Sequence, residues 1–349
     1  MSLEVKIKKQ LGNFLLDVDF SAPDGSATGL LGASGCGKSV TLRCIAGIIR
    51  PDEGRIVLNG RTLFDSERRI NLVPQKRCVG YLFQNYALFP HMNVEQNIAC
   101  GLAKERTPTV RKKAVSDMIA KMKLEGLEKH KPFQLSGGQQ QRTALARILV
   151  GNPEILLLDE PFSALDSYLK DQLAAELKKL LKGFGRDTIM VTHSRDEAYE
   201  LCETLAILER GRLIGMGNTK QIFQDPGTRS GAVLTGCKNI VTAEKKGEHL
   251  VRIPEWGVEM TAAQPVKDGL CAIGIRAHFF DPKTEDNVFP IDIVEKIEEP
   301  FEWTVKFRYE GQAEGSLPVW WRSPKSEGGT CTAPQRLGIR PENILLLYA

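Results

Sequence analysis

The tightest constraint in this chain is the run Gly32-Ala33-Ser34-Gly35-Cys36-Gly37-Lys38-Ser39, set between a short apolar segment (residues 27–31) and a helix-forming one (residues 38 to about 48). It fits the pattern G-x-x-x-x-G-K-[ST] in the setting that pattern needs, after a strand and opening a helix. Glycines let the backbone curl until successive N–H groups face one phosphate-sized cup. The helix N-terminus adds partial positive charge at the same point. In such a loop Lys38 reaches the β- and γ-phosphates of a nucleotide and Ser39 ligates Mg²⁺, with Val40 following inside the helix. A chain built around this loop is an α/β protein with the loop at the carboxyl edge of a parallel sheet.

Two further motifs lie downstream. Ile155-Leu156-Leu157-Leu158-Asp159-Glu160 is an apolar strand ending in two carboxylates, introduced by the turn-forming Asn152-Pro153. Asp159 is placed to hold Mg²⁺ through water and Glu160 to take a proton from an attacking water. Alone, the pair reads as a strand running into a solvated turn; the phosphate loop upstream favours the functional reading. Leu135-Ser136-Gly137-Gly138-Gln139 puts a serine cap and two glycines at a second helix start. A second N–H-rich anion site, distant in sequence from the first, suggests two chains sharing one nucleotide.

Around these motifs, residues 1–225 read as strands alternating with helices, which implies a parallel sheet covered on both faces. Residues 187–192 repeat the buried-strand pattern. Thr107-Pro108 reads as a helix start, with Val110, Ala114, Val115, Met118, Ile119 and Met122 along one face. Asp225-Pro226-Gly227 breaks the pattern, residues 226–235 read as a linker, and residues 236–349 as an all-β domain. Short apolar or alternating segments at 251–260, 270–280, 289–297, 303–309 and 345–348 carry that last reading.

Composition excludes several classes. Lys plus Arg number 47 against 43 Asp plus Glu, a net charge of +4, so the chain lacks the basic excess of a dedicated nucleic-acid binder. No apolar run approaches the length that spans a bilayer, and the first residues lack a signal-peptide core, so the expected location is cytoplasmic, with any membrane role coming through a partner. Eight cysteines without a C-x-x-C pair and five dispersed histidines suit a reducing compartment and show no zinc signature.

The order of the phosphate loop, Leu135–Gln139, Asp159-Glu160 and Ser163-Ala164-Leu165-Asp166 resembles the nucleotide-binding subunit of an ABC transporter. The resemblance covers roughly residues 1–225. It extends to Gln84, in Tyr81-Leu82-Phe83-Gln84, which is similar to the Q-loop, and to His193, in Val191-Thr192-His193, which is similar to the switch histidine. It implies a P-loop ATPase domain with a helical subdomain at about residues 86–150, and a homodimer sandwiching two ATP molecules. Each ATP would be held by residues 32–40 of one chain and by Ser136, Gly137, Gly138 and Gln139 of the other. His193 would contact the γ-phosphate, Gln84 would link Mg²⁺ to the membrane partner, and Asp166 would communicate across the dimer.

There are two departures from the family pattern. Leu11, with Phe14 three residues on, occupies the place where an aromatic residue stacks on adenine, and Val40 stands where a hydroxyl residue is common. The segment from Phe83 to Met92 resembles importer subunits, whose corresponding region receives a permease helix; Tyr86, Leu88 and Phe89 either line that groove or pack within the domain. The all-β tail resembles the OB-like, TOBE-type barrel of importer ATPases. The texture of residues 45–48, 63–66, 70–72 and 80–84, and of residues 236–240 in the tail, leans towards the molybdate and sulfate group, ahead of ferric iron, polyamine or sugar importers. The resemblance thus implies an ATPase at the cytoplasmic face of the cell membrane, working with integral-membrane permease subunits and, indirectly, an extracytoplasmic solute-binding protein. A soluble ATPase of the same family acting on nucleic acid or ribosomes is the competing class, but such chains carry two cassettes or a long coiled coil. In the tail, Lys238, Arg276, Arg308, Arg322 and Arg340 are the cations that would serve a tetrahedral anion or simply form a solvated face.

Overall fold

In a computed structural model, residues 3–102, 107–163, 167–325 and 334–348 are described, with side chains at 167–169 left aside. The chain divides into two compact units, Met1–Thr219 and Lys220–Ala349.

The first unit is built on one eleven-stranded sheet. Its strands are β1 (Leu3–Leu11), β2 (Phe14–Ala22), β3 (Ala27–Leu31), β4 (Glu53–Leu58), β5 (Arg61–Asp65), β6 (Ile70–Asn71), β7 (Val79–Leu82), β8 (Ile155–Asp159), β9 (Asp187–Thr192), β10 (Thr204–Glu209) and β11 (Arg212–Asn218). The helices are α1 (Lys38–Ala46), α2 (Val94–Ala99), α3 (Pro108–Lys121), α4 (Gly137–Leu149), α5 (Ser167–Phe184) and α6 (Arg195–Leu201). The strand order is β6-β5-β4-β1-β2-β11-β10-β3-β9-β8-β7.

The run β10-β3-β9-β8-β7 is parallel. The other half differs from the parallel sheet expected throughout: β1, β2, β4, β5 and β6 pair antiparallel. The reason is local. Two-residue turns such as Asn59-Gly60, with φ of 50° and 75°, send the chain straight back along its neighbour. Both turn residues take the left-handed backbone that Asn and Gly tolerate best.

Side-chain alternation builds the two core layers. In β8, Ile155 and Leu157 join α1 and the β1–β4 strands in one core, while Leu156 and Leu158 join α4 and α5 in the other. A strand covered on both faces must be apolar at every position. In β1 only Leu3, Val5 and Ile7 point inward, and Glu4, Lys6 and Lys8 are exposed, as period-two alternation requires. In α3, Pro108 starts the helix after Thr107, whose side chain makes no capping bond. Val115 and Ile119 are buried there but Val110 is 50% exposed, so the helix buries a narrower face than its spacing implies.

The end of α1 is tied down by a buried cation. The fully buried Arg77 donates through Nη1 to Cys44 O (2.9 Å) and Ile45 O (2.8 Å), through Nε to Leu72 O (2.8 Å) and through Nη2 to Asn71 Oδ1 (2.9 Å). The Cys44 and Ile45 carbonyls lie at the negative end of the α1 dipole, which offsets part of the cost of burying the guanidinium. Arg77→Met is expected to lower unfolding free energy by about 2 kcal/mol, because the orphaned carbonyls outweigh the relief from burying a charge. The check is the midpoint of denaturant unfolding; an unchanged midpoint at constant slope would contradict this account.

The second unit is all-β apart from short helices. Its sheets are antiparallel: Asn239–Thr242, Leu270–Ile275 and Ile344–Tyr348; Glu244–Lys245, Leu250–Ile253 and Val258–Thr261; and Phe280–Asp281, Arg336–Ile339, Phe289–Glu298, Glu302–Tyr309 and Val319–Pro324 in that order. Residues 251–260 form a hairpin rather than one strand. A short helix, Arg229–Leu234, capped by Thr228, occupies part of the stretch read as a linker. The core is aromatic: Phe307 meets Phe280 and Tyr309 edge-on at 5.4 and 5.3 Å, beside buried Trp256 and Trp321.

Candidate functional site

Four adjacent strands, β3-β9-β8-β7, end level with one another: Leu31 pairs with Thr192, Asp159 with Val191 and Leu82 with Leu158. The candidate residues follow immediately from those ends. Gly32 follows β3, His193 follows β9, Asp159 closes β8 with Glu160 next, and Gln84 lies two residues beyond β7. Residues up to 161 positions apart are thereby collected along one carboxyl edge, where open α/β sheets bind ligands.

The loop from Gly32 to Ser39 turns onto α1. The first intrahelical bond runs from Thr41 N–H to Gly37 O (2.9 Å), so the N–H groups of Lys38, Ser39 and Val40 lie ahead of the helical ladder. Gly37 has a φ of 107°, and a Cβ there would come within 2.7 Å of Leu16 Cδ1 and 3.1 Å of Phe14 Cζ, so only glycine fits. Lys38 is buried, and its Nζ donates to Gly32 O (2.7 Å) and Ala33 O (2.9 Å). Cys36 Sγ stands 3.9 Å from the same ammonium. Ala33, Ser34 and Gly35 complete the loop, and Cys36 N–H bonds Ala33 O across it (3.3 Å). Val40 turns its side chain to the core, leaving only its backbone for a ligand.

Two constellations face this loop. Ser39 Oγ donates to Asp159 Oδ1 at 2.6 Å. Beside it, Glu160 Oε2 accepts from Gln84 Nε2 at 3.3 Å and lies 3.3 Å from His193 Nδ1. Gln84, expected as a metal ligand with Ser39 and Asp159, is hydrogen-bonded to Glu160. Glu160 has a φ of 46°, a left-handed backbone unusual for a non-glycine residue. Its N–H bonds Val191 O (3.0 Å), and its carbonyl accepts from Ser163 N–H (3.2 Å) and Oγ (3.0 Å). The strained turn sets the carboxylate within reach of both Gln84 and His193. A hydroxyl plus one carboxylate is a hard-oxygen donor set of the kind that holds Mg²⁺ together with phosphate oxygens.

Ser136 caps α4 through a reciprocal pair: its Oγ accepts from Gln139 N–H (3.3 Å), and its N–H donates to Gln139 Oε1 (2.9 Å). Among the described residues no hydrogen bond joins Ser136, Gly137, Gly138 or Gln139 to the Gly32–Ser39 loop. Asp166 lies outside the described residues.

Leu11 pairs with Phe14 across the β1–β2 turn and is 38% exposed, whereas Phe14 packs against the loop at Gly37. Tyr86 is buried with its hydroxyl on Pro161 O (3.3 Å), while Phe89 is 42% exposed with Arg147 stacked on it. Arg147 also donates to Tyr86 O (2.9 Å) and Ala87 O (2.8 Å), closing a turn whose two residues both have positive φ. In the second unit Arg276 is bonded to Phe223 and Thr235, Arg322 is paired with Glu302 (2.8 Å), Arg308 reaches Ser316 O (3.3 Å), and Lys238 sits over Trp320. The sequence reading missed Gln141, whose Nε2 donates to Pro161 O (3.0 Å), and Tyr81. A phenol on an otherwise apolar strand was the available signal for Tyr81, since a buried hydroxyl needs a partner.

Comparison with known proteins decides the family. The family model "ABC transporter" matches residues 15–163. A molybdate/tungstate import ATP-binding protein of Pyrococcus horikoshii is 40% identical over 256 residues, covering 73% of this chain and 72% of that protein. The chain belongs to the ABC transporter ATP-binding family. Its ABC relatives include a sulfate/thiosulfate import ATP-binding protein of Synechocystis, 41% identical over 63% of this chain, and a putrescine transport ATP-binding protein of Escherichia coli, 41% identical over 67%. The matches span 61% and 62% of those two proteins' lengths. A dimeric ATP-binding cassette bound to ADP and Pi aligns at TM-score 0.53 and 28% identity, over 62% of this chain and 98% of its own. Among the described residues no helix of this ABC chain is long and apolar enough to cross a membrane.

Proposed function

We propose that this chain is an ATP-hydrolysing subunit that drives import of a small solute, molybdate or a related oxyanion, through a membrane permease. The observation that carries the ATPase reading is the meeting of Lys38, the Ser39–Asp159 pair and the Gln84–Glu160–His193 cluster at one sheet edge. Lys38 has two of its three N–H groups committed to loop carbonyls, which orient the ammonium and leave its remaining N–H for phosphate oxygen. The open N–H groups at the start of α1 take the other phosphate oxygens. Ser39 and Asp159 would hold Mg²⁺, which neutralises charge on the phosphates when bound. Glu160 takes a proton from the water that attacks the γ-phosphorus, His193 holds that water or the γ-phosphate in line, and ADP departs.

The capped start of α4, unconnected to the phosphate loop within one chain, fits a homodimer in which each nucleotide meets Ser136–Gln139 of a second copy. ATP would close the dimer and hydrolysis reopen it, moving permease subunits fed by an extracytoplasmic solute-binding protein, at the cytoplasmic membrane face. The oxyanion reading is supported by the Pyrococcus relative and by the texture of residues 45–48, 63–66 and 236–240; a polyamine importer aligns over a similar length, so polyamine and sulfate cargoes are the competitors. Phosphate release by the purified full chain should rise with the square of protein concentration in the dilute range, and first-order behaviour would remove the shared-site dimer. Calorimetric titration with molybdate, tungstate, sulfate and putrescine tests the cargo. Saturable heat from molybdate supports the oxyanion, and heat from putrescine alone overturns it.

A further inference from the structure

We infer that Tyr81 is a positioning residue for the metal-binding carboxylate, fixing Asp159 from the side opposite Ser39. Tyr81 Oη donates to Asp159 Oδ2 at 2.7 Å while Ser39 Oγ donates to Oδ1 at 2.6 Å, so each carboxylate oxygen has its own donor. Strand geometry dictates the meeting. Asp159 alternates to the same face of β8 as Ile155 and Leu157, the face that carries α1. Tyr81 is the parallel partner of Leu157 on β7, and paired residues share a face. The phenol therefore arrives beside the carboxylate on the α1 side.

Arg43, one turn beyond Ser39 on α1, places its guanidinium charge near the phenol. The result is a run of hydrogen bonds from Ser39 at the start of α1 to Asp159 on β8 and on to Tyr81 on β7. The ring of Tyr81 also leans on Phe83 at 4.5 Å, which limits its rotation. A carboxylate pinned at both oxygens cannot swing, and its remaining lone pairs keep a constant direction toward the loop. Partners of this kind around a ligand typically govern metal affinity by 10–100-fold.

This inference rests on reading Ser39 and Asp159 as the Mg²⁺ pair. Its test is Tyr81→Phe, which keeps the ring and removes only the hydroxyl. A fluorescent ATP analogue in excess EDTA should bind parent and variant within twofold. Mn²⁺ binding to the nucleotide-loaded protein, followed by electron paramagnetic resonance, should weaken about tenfold. In an Asp159→Asn background the same change should have little further effect, since contacting residues are not additive. Equal Mn²⁺ affinity in parent and Tyr81→Phe overturns the inference and leaves the site reading standing. Equal loss of nucleotide affinity with and without metal also overturns it, by showing a merely structural role. A parent that binds nucleotide no better with Mn²⁺ than with EDTA overturns the Mg²⁺ reading beneath it.

Discussion

Glu160→Gln is expected to cut ATP turnover by about 10²–10⁴-fold while nucleotide binding is kept, the span a positioned general base contributes. The substitution is nearly isosteric. The amide oxygen still accepts from Gln84 Nε2, 3.3 Å away in the parent, and the left-handed turn held by Val191 and Ser163 is untouched. What disappears is the capacity to take a proton from water. Phosphate release at saturating MgATP, set beside the affinity of a fluorescent nucleotide, separates the two effects. Turnover at the parental rate would remove Glu160 from the base role. Loss of binding together with turnover would mean that the variant had disturbed the loop instead.

Lys38→Ala is expected to weaken ATP binding by roughly 100-fold, about 3 kcal/mol, because it removes the one charge-assisted hydrogen bond its ammonium has left for phosphate, together with the positive charge beside the phosphates. The structure sharpens this expectation. Lys38 is buried, and its ammonium is anchored by Gly32 O and Ala33 O at 2.7 and 2.9 Å, so it is already oriented and little side-chain freedom is lost on binding. The same anchoring means the variant loosens the loop, so thermal unfolding should be recorded in parallel. A shift confined to a few degrees with a 100-fold affinity loss supports the phosphate role. Unchanged nucleotide affinity would contradict the assignment of the whole loop.

Much of the first unit is legible in the sequence because its signals are local. The glycine spacing of residues 32–37 encodes the loop, and Gly37 shows why: its φ is 107° and a Cβ there would strike Leu16 and Phe14. The four apolar residues before Asp159 state that β8 is covered on both faces. The serine cap and Gln139 state where α4 begins, and the structure draws their two hydrogen bonds. The tail is less legible. Its strands are short, so Asn239–Thr242, Val319–Pro324 and Arg336–Ile339 carry too few alternations to stand out, and each is stabilised by partners distant in sequence.

By itself the sequence determined which residues are chemically equipped to act: a lysine and serine after a glycine loop, two carboxylates after a strand, and a glutamine and a histidine each near a strand end. Tertiary structure alone decided their company. Strand order places β3, β9, β8 and β7 side by side, and only that order sets His193 and Gln84 on the same Glu160 oxygen. Only the parallel register of β7 on β8 brings Tyr81 to Asp159, and only packing against the end of α1 gives the buried Arg77 its carbonyl partners. The physical reason is range: backbone torsion and helix capping act within a few residues, whereas a hydrogen bond between side chains 76 or 78 positions apart exists only once the sheet has brought them together.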